Sequence, residues 1–488
     1  MGEVSMFPSR MIGTAVGSGG SPLRLTGHPL QRCGARAVAV MTGHRLAEEV
    51  APADVDDFAD RLTGDIVRAA AAAKDSAAYD WWKVLFALYP NSPATHTSRS
   101  RDPVELRKGI SVLFACDPPD GVGWPCAFCG QRAGVLWGKD RLPMFDTSKA
   151  VNMLPPRVPG WPVCRGCRIA AWALPYGAWV TAGSAAVLTC ADDNVECRFV
   201  ARNTVRAERI LQLGFTGLPA NASAETVTLG ALRAHAAGSP ADATLWLFKN
   251  DNQDAWLHVT ATRGGVPEFL RRMFADPACR SGWGILQAVL TRRDKTGQVT
   301  MSGVANGAKT LFDAADRPGE LVADRLPREL LRQARDVERI TARTVTAWGA
   351  LCRLYLEVMH QMDVSQVKPA RELITDWITR EANPRGRFNQ YVRSSGRAFE
   401  LQRLLMEASA RLLLDGRQPP DITTVVPALL APDQNGWRLR GLLFFDVVAE
   451  LVNRGAPIGH KTEEADEEMA VPSFDPDPLS GTESEDYA

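Results

Sequence analysis

Trp124-Pro-Cys126-Ala-Phe-Cys129-Gly130 and Val163-Cys164-Arg-Gly-Cys167-Arg168 are the two stretches around which the rest of the chain is read. Two residues between the cysteines of a pair let both thiolates reach one ion, and two pairs make a closed tetrahedral set. Gly130 stands just past the first turn, where a positive φ is often required, and Gly166 is expected to relax the second turn in the same way. The 34 residues from Gly130 to Val163 exceed the about 15–20 of a compact ribbon. The spacing therefore predicts an inserted loop or hairpin, carrying Lys139, Arg141 and the Pro155-Pro156 break. With all four ligands drawn from protein, no position stays open for a catalytic water, and Cys126, Cys129, Cys164 and Cys167 are expected to hold one structural zinc. A redox C-x-x-C needs no second copy, and no βαβ pattern surrounds either pair. Cys190 and Cys197, with neither the spacing nor a nearby histidine, read as buried free thiols.

Outward from these pairs, the pattern predicts an α+β protein. N-terminal to them, helices are expected over Asp54–Lys74 and Ala77–Leu88, with an apolar segment over Val104–Phe114. After them comes a predicted β-rich middle. Ala185–Thr189 and Cys197–Ala201 read as short strands, and Ala243–Phe248 and Ala255–Thr260 flank the turn-forming Lys249-Asn-Asp-Asn-Gln253. Short helices are expected at Val266–Phe274 and Trp283–Thr291. From Leu330 to Met362, apolar residues step by threes and fours along what reads as one long helix. The resulting division is a flexible stretch 1–24, and a mixed α/β domain 25–325 with the zinc module at 116–200. A helical bundle at 327–455 and a disordered acidic tail at 461–488 complete it.

Composition narrows the function. A hydrophobic share of 45% and a charged share of 23% are those of a globular protein. No run of about 18 apolar residues exists to span a membrane. The first 24 residues hold no signal-peptide core, so a cytoplasmic protein with reduced thiols is expected. The net charge of zero conceals a partition. All 56 Lys and Arg precede Thr462 with 46 of the 56 Asp and Glu, so residues 1–461 carry +10 and the tail −10. A basic body suits polyanions. Between Arg328 and Arg417 there are 16 basic and 11 acidic residues, so the expected bundle is itself mildly basic.

No phosphate-binding, zinc-protease or serine-hydrolase motif is present. Nucleases of the His-Asn-His type also carry spaced C-x-x-C pairs, but residues 130–163 contain no histidine to act as base. The chain is therefore expected not to be an enzyme.

Thr26-Gly-His-Pro-Leu30, then Gly34 and an alanine-rich stretch to Gly43, then an acidic helix start, and Leu88-Tyr-Pro-Asn-Ser92 precede the widely spaced pairs. In that order, followed by the expected β-rich middle and helical C-terminus, these features resemble the large subunit of type I-B CRISPR effector complexes (Cascade), in its CXXC–CXXC subtype, over residues 25 to about 455. The resemblance implies a non-catalytic subunit of an RNA-guided surveillance complex in antiviral defence. Such a subunit sits near the 5′ handle of the guide RNA, recognises the motif flanking the target in double-stranded DNA, stabilises the opened DNA along its displaced strand, and recruits a separate helicase-nuclease. Its implied partners are the backbone, handle-binding and small helical subunits. On chemistry alone, Asn91 and Ser92 are candidates to read base edges or bind the handle. Arg99, Arg101, Arg107 and Lys108 are candidates for phosphates, and Lys139 and Arg141 for entry into a groove. The alternatives are a free-standing zinc-ribbon regulator that binds nucleic acid and a degenerate zinc-containing nuclease.

Overall fold

The computed structural model describes residues 22–118, 123–138, 140–143, 160–218, 222–236, 241–250, 254–313, 325–334, 341–380 and 384–456. The expected flexible start, for residues 1–21, the acidic tail and Lys139 lie outside the described residues. The chain forms two compact units.

The first unit is built from residues up to Ala185, with Asn203–Gly217 and Lys249–Trp256. Its helices are α1 (Pro29–Met41), α2 (Pro52–Ala71), α3 (Ala77–Leu88), α4 (Pro103–Phe114) and α5 (Arg165–Gly177). Proline at N1 opens α1, α2 and α4, where its missing N–H costs nothing. Asp102 caps α4 by accepting from the Val104 N–H at 2.8 Å. Helices α1 and α5 lie against each other at backbone distance. A Cβ on Gly34 would sit 1.8 Å from the Ala170 carbonyl oxygen, and one on Gly177 3.0 Å from that of Cys33. Short strands β1 (Trp124–Pro125), β2 (Arg132–Ala133), β3 (Leu136–Trp137) and β4 (Trp161–Pro162) frame the cysteines. They pair as antiparallel ladders β1–β2 and β3–β4. Strand β5 (Trp179–Val180) follows α5.

The second unit contains Ala186–Arg202, Leu218–Phe248 and the chain from Leu257 onward. Strands β6 (Ala185–Cys190), β7 (Ala243–Lys249) and β8 (Trp256–Ala261) lie side by side in that order, and the expected hairpin is the β7–β8 pair. The segment between β6 and β7 is helical, with α6 (Asp193–Leu213) and α7 (Ala224–Ala234). The strand expected at Cys197–Ala201 is thus an internal turn and a half of α6. In α6 the buried residues Val195, Phe199, Asn203, Ala207 and Ile210 recur at helical spacing, which outweighs a five-residue apolar run.

Helices α8 (Val266–Ala275) and α9 (Pro277–Leu290), the β9–β10 ladder (Arg292–Arg293, Val299–Met301) and α10 (Gly303–Lys309) lead into α11 (Arg325–Gln333). Next come α12 (Ala342–His360), α13 (Lys368–Thr379), α14 (Pro384–Ser394), α15 (Ala398–Leu414), α16 (Val426–Leu430) and α17 (Gln434–Asn453). The single helix expected over Leu330–Met362 is described as α11 and α12. The latter starts at Thr341, whose hydroxyl accepts from the Thr344 N–H, and closes at Gln361 with φ +52°. Helices α8, α9 and α17 pack on α12. A Cβ on Gly282 would meet the Ala347 carbonyl oxygen at 2.5 Å, and Trp348 Nε1 donates to the Gly282 carbonyl at 3.1 Å. Helices that precede residue 327 therefore share the core of those that follow it.

Candidate metal centre

Cys126, Cys129, Cys164 and Cys167 converge, with all four sulfurs within 4.8 Å of one another and none in a disulfide. The sulfurs of Cys129 and Cys164 are 3.5 Å apart. A tetrahedron with metal–sulfur bonds of about 2.3 Å has edges of about 3.8 Å, so the donor set fits a single ion of that kind.

The two pairs reach the site by different local structures. The first is a knuckle: the Gly130 N–H donates to the Cys126 carbonyl at 2.9 Å, the Cys126 N–H to the Gln131 carbonyl at 2.7 Å, and Gly130 has φ +74°. The second is the start of a helix, with Cys164 at the N-cap of α5 and Cys167 in its first turn. Unpaired N–H groups and the helix dipole there favour thiolate over thiol. Gly166 does not relax a turn as expected; a Cβ there would lie 2.0 Å from the Pro22 carbonyl oxygen, so its role is close passage of another segment. The Ala127 N–H donates to the Pro162 carbonyl at 2.8 Å and fixes one pair against the other. The long excursion between the pairs is closed at its base by the β3–β4 ladder, Trp137 opposite Trp161.

The four thiols act on one another's ionisation. Hydrogen bonds from the three neighbouring thiols hold Cys126 well below the usual thiol range, whereas Cys164 and Cys167 are pushed far above it by Cys126 and Cys129 beside them. Four adjacent thiolates ionise together only when a positive ion offsets their repulsion.

A second layer supports the sulfurs. Gln31, buried on α1, donates from Nε2 to Cys167 Sγ at 3.6 Å and to the Arg24 carbonyl at 2.8 Å, while Thr26 donates to its Oε1 at 2.7 Å. His28 meets Phe128 of the knuckle edge-on at 5.0 Å. Arg168, 1% exposed, donates to the Leu113 and Ala115 carbonyls at 2.7 and 2.8 Å and pairs with Asp117, which ties the end of α4 to α5. Cys190 and Cys197 are half-buried, form no disulfide and are not part of this cluster.

The residues proposed from sequence for nucleic acid do not gather at the metal. Ser92 is fully buried and shares a hydrogen bond with Thr95 at 2.9 Å, so its hydroxyl faces the interior. Asn91 beside it is half-buried. Arg99 donates to the Ala70 carbonyl at 3.2 Å and lies 4.6 Å above the Trp82 ring, while Arg101 is exposed. Arg107 and Lys108 are exposed on α4, with Lys108 paired to Glu105 at 2.8 Å. Arg141 sits beside Asp140 at 3.0 Å, and its carbonyl accepts from Trp172 Nε1.

Sequence reading missed a basic cleft of about 650 Å³ in the second unit, into which Arg292, Lys309, Arg325, Arg328 and Arg332 project with one acid, Glu329. Glu329 is held by Arg332 at 2.5 Å. Arg292 and Lys309 are exposed and have no ion-pair partner among the described residues. No periodic signal marks them, since they come from a strand, a short helix and a second helix. Among the described residues no helix is long and apolar enough to cross a membrane.

Compared with protein-family models, curated proteins and solved structures, the chain has no match in any of the three.

Proposed function

We propose that this chain is the non-catalytic large subunit of an RNA-guided, Cascade-type effector complex of type I-B, with one zinc ion as a structural pin. In this reading it contacts guide RNA and opened target DNA and hands the target to a separate nuclease. The observation that carries the reading is a convergence. Three of the sequence features behind the resemblance, at residues 26–43, 88–92 and 126–167, meet at α5. From the first, Gln31 reaches the thiol of Cys167 and Gly34 lies against Ala170. From the second, Tyr89 stacks on Trp172 at 4.2 Å and donates its hydroxyl to the Ala171 carbonyl at 2.6 Å. The third, the cysteine pairs, contributes the start of α5 itself. Features that meet at one helix behave as one signature.

Zinc is the ion this donor set suits, because four soft thiolates in a closed tetrahedron leave no open position. A surface typical of an assembled subunit accompanies it. On α15, Phe399, Met406 and Leu413 recur every seven residues on one face and are 75%, 66% and 60% exposed.

The test is purification of the tagged chain from its host, with sequencing of any bound RNA and mass spectrometry of its companions. Repeat-derived RNA and several backbone subunits are expected. Recovery of the chain alone on duplex DNA, without RNA, would replace this reading with the free-standing regulator.

A further inference from the structure

Helix α3 (Ala77–Leu88) is apolar on two faces, and only one of them is needed for the core. Trp81, Val84, Leu85 and Leu88 are each at most 1% exposed and form the inward face. On the other side, Tyr79, Trp82 and Phe86 follow one another at three- and four-residue steps, which places them along a single stripe. Tyr79 and Trp82 are half-buried, and Phe86 is 39% exposed. The three rings are stacked on one another. The Tyr79–Trp82 centroids are 4.9 Å apart with planes 17° from parallel, and the Trp82–Phe86 centroids 5.2 Å apart at 26°. Trp82 is anchored by its Nε1, which donates to the Ala94 carbonyl at 3.2 Å.

Cations surround this ladder. The Arg99 guanidinium lies 4.6 Å above the Trp82 ring, and Lys83 Nζ is 5.6 Å from the Tyr79 centroid. Arg99 belongs to His96-Thr-Ser-Arg-Ser-Arg101, a run that presents His96, Thr97, Ser98, Ser100 and Arg101 to solvent. Between Asp80 and Asp102 the chain contains no acidic residue. Asp80 is already held by Lys83 at 2.7 Å and by the Phe215 N–H at 2.8 Å, and Asp102 caps α4. A partly exposed aromatic stack beside hydroxyls and beside Arg99 and Arg101, which have no acidic partner among the described residues, matches a strand that has both flat bases and phosphates. Neither an apolar protein surface nor a free anion calls for both halves.

We propose that the Tyr79–Trp82–Phe86 ladder, with Arg99 and Arg101, is a stacking platform for the unpaired bases of a single-stranded nucleic acid. Phe86 and Tyr79, at the two ends of the stack, continue it onto bases, and the loop 96–101 tracks the phosphates. The inference rests on the nucleic-acid-binding reading above and gives that reading a surface. The strand is either guide RNA or displaced DNA, since both offer the same chemistry.

The experiment is fluorescence anisotropy with the zinc-loaded full chain, using labelled 20-mers of dT and of rU and a 20-mer of abasic residues, at two salt concentrations. Phe86→Ala and Tyr79→Ala are each expected to weaken dT or rU binding about five-fold or more, by a factor that does not depend on salt. Phe86→Tyr, which keeps the ring, is expected to bind as the parent does. Arg101→Ala is expected to flatten the salt dependence by about 0.7 in log–log slope, one phosphate contact. The abasic strand is expected to bind the parent protein weakly and to ignore Phe86→Ala. Preference for rU assigns the platform to the guide, and preference for dT to the displaced strand. Abasic binding as tight as dT overturns the proposal, as does a Phe86→Ala protein that binds like the parent. So does a variant that keeps strand binding but loses companion subunits, since the ladder is then a protein contact. If Phe86→Ala binds strands normally and the chain still co-purifies with guide RNA, the platform fails and the functional reading stands. If the host yields no RNA while the purified chain stacks bases through Phe86, the reverse holds.

Discussion

Gln31 and Cys167 are 136 residues apart, and their contact explains why the metal site is more than its four thiolates. An N–H aimed at a thiolate sulfur disperses its charge, and the same side chain is fixed by Arg24 and Thr26. Replacing Gln31 by Leu removes that donor at similar volume. It is expected to weaken zinc binding about ten-fold or more, as read by competition with a chelator. Cys126→Ser and Cys164→Ser remove a ligand each. Both are expected to release the ion and to lose hydrogen-exchange protection over residues 116–200 while α12 to α17 stay protected. Parent protein carrying less than about half an equivalent of zinc would sink the assignment. The four ligands were legible in the sequence because C-x-x-C spacing is dictated by the reach of two thiolates. Gln31 was not, because a second-layer donor has no spacing rule. Gly166 was misread for a related reason: a glycine inside C-x-x-C looks the same whether the pair makes a knuckle or opens a helix.

At the scale of elements, the crossing of α1 and α5 decides where Cys164 and Cys167 stand. Gly34→Ala forces a methyl to within 1.8 Å of the Ala170 carbonyl oxygen, and backbone cannot yield as a flexible side chain does. A loss of about 1–3 kcal/mol or more is expected in denaturant unfolding, with zinc release at lower denaturant than in the parent. Both helices escaped the sequence reading. Helix α1 is alanine-rich, and α5 opens inside a C-x-x-C pair and is buried on nearly every side. Helices α2 and α3, each with one solvent-facing side, match expectation to within a few residues at either end, and the apolar segment expected at Val104–Phe114 is helix α4. The β-rich middle failed at α6 and α7 because short apolar runs were weighed there in isolation. Helix α15 carries a different consequence. Changing Phe399, Met406 and Leu413 to Ser removes an exposed stripe, not a core, so each change is expected to alter stability by no more than about 0.5 kcal/mol. Under the subunit reading, the triple variant is expected to stay folded by circular dichroism and to lose companion proteins in a pull-down. Unchanged recovery of every companion would show that the stripe faces none of them.

Across the whole molecule, charge is divided so that a body of +10 is tethered to a tail of −10. The tail is a polyanion tethered near any basic surface it can reach, and under the proposed reading DNA would compete with it. The cleft of the second unit is one such surface, because Arg292 and Lys309 line it without an acidic partner among the described residues. A chain ending at Gly459 is therefore expected to bind duplex DNA more tightly than the full chain at low salt. The gain is expected to shrink towards physiological salt, where charges are screened over about 8 Å. Arg292→Ala with Lys309→Ala is expected to weaken DNA binding in both chains and to reduce the log–log salt slope by about 1.8, two phosphate contacts at about 0.9 each. If the tail and DNA share the cleft, the double variant also narrows the difference between the full and shortened chains. Equal affinity of the two chains at low salt removes the competition outright. A salt slope untouched by the double variant moves the basic surface elsewhere, and the exposed Arg107 and Lys108 of α4 are then the next pair to replace.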